Sequence, residues 1–219
     1  MLQERIWYKG SEIVEEFNTI IGTNTAEITE KKSKFIANAF YIENVAEAEQ
    51  ILKEIRKKYH DARHNCYTYR VIEDDNVIER SSDDGEPSGT AGAPMLSIIK
   101  NNNLCNILII VTRYFGGILL GTGGLVRAYT EVTQKVLEVS KKIKKCCVIE
   151  VQVKLDYQNL EKLKYYCKNN NILITNIEYL DAAICNIAIE KSIKDKLLHN
   201  LEEKNINILE FNVLSNKII

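Results

Sequence analysis

The chain has 219 residues, 45% of them hydrophobic, and a formal net charge of -1. That is enough for one large domain or two small ones with separate cores, and two are expected. Residues 1–143 carry 18 basic and 20 acidic groups and residues 144–219 carry 11 and 10, so neither part is a basic module and any nucleic-acid contact must come from a local patch.

Six cysteines occur without a CxxC pair, and the amino terminus has no secretory signal, which together indicate reduced thiols in a cytoplasmic protein. The longest apolar run, Ile107 to Val111, is far short of the roughly 18 residues a membrane helix needs, so no membrane insertion is expected.

In chain order, the first twenty residues mix Trp7, Tyr8 and Phe17 with charges and suggest a short arm or helix. Residues 25–30 and 34–42 read as strands joined by the charged turn EKKSK, and Val45 to Tyr59 has apolar residues at helical spacing. Residues 65–72 and 76–80 form a hairpin across Asp74-Asp75. A loop then runs to Ala93, and Pro94 sits in the first turn of a short helix ending near Asn101. The run CNILIIVTRY is a central strand buried on both faces, followed by the glycine-rich GGILLGTGG and a helix over 123–141. KKIKK at 141–145 reads as the joint between domains 1–142 and 143–219. Beyond it come strand 146–155, helix 157–169, strands 172–180 and 183–190, helix 192–204 and strand 206–213. That βαββαβ order is ferredoxin-like.

Two loops could carry chemistry. SSDDGEPSGTAGAPM at 81–95 holds three carboxylates, three glycines and both prolines, so it can be neither helix interior nor strand interior. Asp83, Asp84 and Glu86 could hold a divalent cation or act as acid and base, or simply close a turn. GGILLGTGG lacks the lysine of a Walker loop, and Val126 stands where the dinucleotide fingerprint needs glycine. What remains is a set of backbone N–H groups at a helix start that attract an anion, or glycines that only permit a tight turn. His60 and His64 are candidates for acid-base work or a polar network, with helix capping as the plainer role. The element order places both glycine loops at one end of one sheet, with the acids toward Arg113.

DARHNCYTY (61–69), SSDDGEPSGTAGAPML (81–96) and VTRYFGGILLGTGGLVRAYT (111–130), in that order, resemble the YigZ/Impact family. The resemblance implies a two-domain α+β protein. Its N-terminal domain would be an α/β sandwich like the second domain of ribosomal protein S-five, and its C-terminal domain ferredoxin-like, as in the ribosomal translocase. Eukaryotic relatives restrain the translation-stress kinase by competing for its activator. The resemblance implies no catalytic residue, metal or cofactor. Many bacterial members carry a lysine where this chain has Leu119, which removes a positive charge from the loop expected to meet phosphate.

The leading expectation is therefore a cytoplasmic, non-enzymatic regulator of translation that binds RNA, the ribosome or a translation factor through loops 81–93 and 113–124. Candidate contacts are Asp83, Asp84, Glu86, Thr90, Arg113, Tyr114, Gly116, Gly117, Gly121, Thr122, Gly123 and Arg127. The alternatives are a metal-dependent enzyme acting on a phosphorylated or nucleotide ligand, and a protein-interaction module whose acidic loop is a structural clasp. Oligomeric state leaves no mark on the sequence.

Overall fold

The computed structural model describes residues 16–74, 76–190 and 193–219, and the chain divides into two units, Met1–Lys144 and Lys145–Ile219. The architecture is two-domain α+β. In the first unit the order is β1 (Glu16–Ile20), β2 (Thr23–Glu30), β3 (Ser33–Tyr41), α1 (Val45–Lys58), β4 (His64–Glu73), β5 (Asn76–Ser82), α2 (Gly92–Asn101), β6 (Ile107–Tyr114) and α3 (Gly121–Val139).

Five strands form an antiparallel sheet in the order β2-β3-β6-β4-β5. The continuous β-branched run of β6 occupies the centre, and its period-two alternation feeds two cores. Ile107, Ile109 and Val111 pack with Met95 and Ile99 of α2 and with Leu125, Tyr129 and Val132 of α3. Leu108 and Ile110 face the opposite way, onto Leu52 and Ile55 of α1. The helix α1 starts where Asn44 Oδ1 accepts from the Glu47 amide at 2.8 Å and Glu47 Oε2 accepts from the Glu43 amide at 2.7 Å, a reciprocal cap.

Register decides what gathers at one end of this sheet. Arg113, near the end of β6, lies opposite Phe35 of β3 on one side and His64 of β4 on the other. The β2–β3 turn, the start of β4 and both glycine loops therefore converge there.

The second unit is built on β7 (Lys142–Leu155), α4 (Tyr157–Asn169), β8 (Leu173–Tyr179), β9 (Ala183–Glu190), α5 (Lys194–Glu203) and β10 (Glu210–Ile218). The four strands pair antiparallel in the order β10-β7-β9-β8, the ferredoxin-like arrangement. Its core joins Val151, Val153, Cys185 and Ile187 to Leu160 and Leu163 of α4 and Leu197 and Leu201 of α5.

The structure corrects several boundaries. KKIKK, read as the joint, contains the division between the two units, yet it is regular backbone, because Lys142 to Lys145 already belong to β7. Phe17 and Ile20, expected in an arm or helix, are buried in strand β1. The long helix runs over Gly121–Val139 rather than 123–141, since Gly121 and Thr122 already belong to its first turn. The last helix ends at Glu203. The last strand begins at Glu210 rather than at 206. Ile206 and Ile208 suggested strand residues by their apolarity, yet they plug the core from the preceding connection. The true β10 is an edge strand exposed over most of its length, so no hydrophobic period marks it. Trp7, Tyr8 and Asp75 lie outside the described residues.

This register makes a measurable distinction. Ile206→Ala should destabilise the second unit by about 2–4 kcal/mol, and Val213→Ala by less than about 1 kcal/mol, read from hydrogen exchange of the β7 and β9 amides.

Candidate functional site

The signature loop between β5 and α2 is closed by its own acids. Asp83 Oδ1 accepts from the amides of Ala91 and Gly92, both at 2.9 Å, and Asp83 Oδ2 accepts from the Gly89 amide at 2.8 Å. It caps α2 from outside the helix, whose N-cap residue Ala91 has no side-chain group to do so. Asp84 Oδ2 accepts from the Asn65 amide at 2.7 Å, and Asp84 Oδ1 meets Arg56 at 3.4 Å. Thr90 Oγ donates back to the Pro87 carbonyl at 2.6 Å. Asp83 and Thr90 are thus committed within the loop and its exit into α2, and Asp84 ties the loop to β4 and α1.

Glu86 behaves differently. Its side chain is only 4% exposed and accepts from Arg113 Nη1 at 2.7 Å, the Arg113 side chain being 7% exposed. The Tyr129 hydroxyl donates to the same Glu86 Oε1 at 3.0 Å. Because that hydroxyl gives its proton to a carboxylate, the Cys66 thiol must donate to the Tyr129 oxygen, 3.2 Å away, or to the Asp83 carbonyl, 3.0 Å away. One buried chain of polar contacts therefore ties the loop to β4, α3 and β6. The Arg113 guanidinium also lies between two rings, 5.4 Å from the Phe35 centroid and 5.6 Å from that of Phe115.

Above the ion pair opens a cleft of about 350 Å³, lined by residues of both glycine loops. Pro87, Phe115, Leu119, Leu120 and Leu125 make its apolar walls, and Arg63, His64, Glu86, Arg113 and Thr122 supply polar groups. His64 Nδ1 lies 2.8 Å from the Asp84 carbonyl, which can only accept, so Nδ1 carries the proton and orients the ring. At the other wall α3 begins without a side-chain cap and without an acid in its first turn, leaving the Gly121 end suited to an anion.

The candidate residues fall into distinct groups. Glu86, His64, Arg113, Gly121 and Thr122 line the cleft. Tyr114 turns to Asp61, donating to its Oδ1 at 2.8 Å, while His60, Gly123 and Arg127 are exposed and are not among its lining residues. His60 and His64 do not share a helix face, since His64 opens β4. Gly117 is exposed with φ of 86°, a left-handed turn position. Gly116 has a packing role: a Cβ there would stand 2.0 Å from the Lys32 carbonyl carbon. Among the described residues no set of three or more His, Cys, Asp or Glu could hold a metal ion, and the partners of Asp83, Asp84 and Glu86 show why these acids do not form one.

Sequence reasoning missed three residues. Lys31 and Lys32 form the two-residue β2–β3 turn, packed against Gly116, with φ of 44° and 64°. Left-handed backbone costs an ordinary residue roughly 1–2 kcal/mol, and Asn-Gly is the favoured filling of such a turn. Two lysines in a two-residue hairpin turn were the available signal. Arg63 lines the cleft from the other side.

The buried network has a pH consequence. Burial, with Glu86, Asp84 and Asp83 nearby, pushes the Cys66 thiol far above its ordinary value, against a smaller opposing effect of the Tyr129 hydrogen bond. Burial, with Cys66 and Glu86 beside it, raises the Tyr129 hydroxyl likewise. Both groups stay neutral in the folded state while the unfolded chain ionises, so their contribution is complete below the unfolded values and is lost progressively as pH rises from these toward the raised folded ones. Above about pH 9, wild-type stability should fall more steeply than that of Cys66→Ala, by up to about 1.4 kcal/mol per pH unit, in urea unfolding at a series of pH values. Equal slopes would contradict the buried thiol.

Comparison with known proteins agrees with this architecture. The Impact N-terminal domain model matches residues 31–137, and a domain of unknown function, DUF1949, matches residues 153–204. The chain is 33% identical over 184 residues to the IMPACT family member YvyE of Bacillus subtilis strain 168, covering 84% of this chain and 82% of that one. It is 34% identical over 160 residues to the IMPACT family member YigZ of Escherichia coli K12, covering 73% and 78%. A solved structure described as a hypothetical protein aligns with TM-score 0.62 at 27% identity, over 92% of this chain and 98% of that one. Family models matching within both units, together with relatives alike over most of their length, establish that the chain belongs to the IMPACT family.

Proposed function

We propose that this protein is a cytoplasmic, translation-associated regulator that engages RNA, the ribosome or a translation factor through the face where its two glycine loops meet. Membership of the IMPACT family supports the link to translation through its eukaryotic members, which the resemblance implies restrain the translation-stress kinase. The observation that carries the choice of face is the cleft over the Glu86–Arg113 pair, with Phe115, Ile118 and Leu119 standing out beside it at 47%, 43% and 82% exposure. Large apolar side chains held outward on a short loop mark an interaction surface rather than a folding requirement.

The regulatory reading is favoured over the metal-dependent enzyme because the carboxylates that such chemistry would use are spent on Ala91, Gly92, Asn65 and Arg113. Among the described residues no helix is long and apolar enough to cross a membrane.

Co-sedimentation with ribosomes over a series of salt concentrations tests the proposal. The wild type should associate at low ionic strength and Leu119→Asp should associate at least about tenfold more weakly. Absence of association even at low ionic strength would remove the reading.

A further inference from the structure

The cleft has an electrostatic frame that its interior does not supply. Inside, Arg113 is already matched by Glu86, and outside the lining Arg56 is matched by Asp84. One exposed cation lines the cleft and two more lie in a neighbouring turn. Arg63 lines one side, and Lys31 and Lys32 sit in the turn whose backbone abuts Gly116, the residue after Phe115.

The turn is informative because its chemistry opposes its conformation. Both lysines occupy left-handed backbone that asparagine and glycine would adopt with less strain. Long cationic side chains at these two positions therefore add surface charge at the expense of stability, next to an apolar loop tip.

We propose that this face docks an acidic segment of a protein partner, with an apolar side chain entering between Phe115 and Leu119 and flanking carboxylates meeting Lys31, Lys32 and Arg63. This rests on the reading that the glycine-loop face engages a partner, and it specifies the partner's chemistry. Charge complementarity selects an acidic occupant, and the walls select protein over RNA. Ile118 and Leu119 are aliphatic and give bases nothing to stack on, while the Phe115 ring already has the Arg113 guanidinium at 5.6 Å and the His64 ring is half-buried and held by the Asp84 carbonyl. Residues 1–143, with 18 basic and 20 acidic groups, also lack the cationic excess that phosphate backbones draw on.

The test is fluorescence anisotropy of the full chain with three probes: a short peptide carrying a Leu-Phe pair flanked by aspartates, the same peptide with serines replacing the pair, and a single-stranded RNA oligonucleotide. The Leu-Phe peptide should bind at low salt, and Lys31→Asn/Lys32→Gly and Leu119→Asp should each weaken it at least about tenfold. The turn variant should also melt at a higher temperature than the wild type, so its loss of binding is not a loss of fold. The serine peptide should bind at least about tenfold more weakly than the Leu-Phe peptide. No binding of the Leu-Phe peptide, tighter binding of RNA, or unaltered binding by the turn variant would each overturn the proposal. Ribosome association kept alongside absent peptide binding overturns this assignment alone; peptide binding without ribosome association supports the docking and removes the translation link.

Discussion

A carboxylate and a guanidinium buried against each other, Glu86 and Arg113, set the conditions for everything at this end of the molecule. Two charges taken out of water cost several kcal/mol each, and a single contact at 2.7 Å recovers that only with further support. The support is present: the Tyr129 hydroxyl on the carboxylate, Ser33 Oγ within 3.4 Å of Arg113 Nη2, and two aromatic rings on the guanidinium. Because Glu86 belongs to the signature loop and Arg113 to the central strand, the pair anchors an otherwise irregular segment to the most buried strand of the first unit.

That anchoring reassigns the acids. Asp83 and Asp84 do the work of backbone termination, the first capping α2 and the second holding the start of β4, so the loop behaves as a clasp whose outer surface is free of concentrated charge. The neighbouring loop is held by backbone proximity: Gly116 lies so close to Lys32 that no side chain fits, and the Gly116 amide donates to Ser33 Oγ at 3.1 Å. The rigid clasp and the tightly packed glycine together present Phe115, Ile118 and Leu119 outward. Apolar tips beside the exposed lysines of the β2–β3 turn are the surface proposed to meet a partner.

Much of this fold was legible because its signals are periodic. The β-branched run of β6 identified a strand buried on both faces, and alternating strands and helices of ordinary length revealed the βαββαβ order of the second unit. What escaped reading lacked a period. The edge strand β10 is exposed on most positions, so Ile206 and Ile208, which serve the core from a connection, drew the strand toward themselves. At the site, composition located both glycine loops but could not choose the partner of each acid, because pairing of Glu86 with Arg113, and of Asp83 with three amides, depends on loop geometry that residue spacing does not encode. Lys31 and Lys32 escaped because a charged hairpin turn is ordinarily a solvated connector, and only the packing of Gly116 brings it against the second glycine loop.

Whether Glu86 and Arg113 act as one buried unit is measured directly by a double-mutant cycle with Glu86→Gln, Arg113→Met and the combined variant. Each single change should cost about 3–5 kcal/mol, since it strands a buried charge or its hydrogen-bond partners, and the double variant should cost clearly less than the sum, with a coupling of at least about 2 kcal/mol. Single changes below about 1 kcal/mol that simply add would show two independent surface groups and contradict the pair as the anchor of the site.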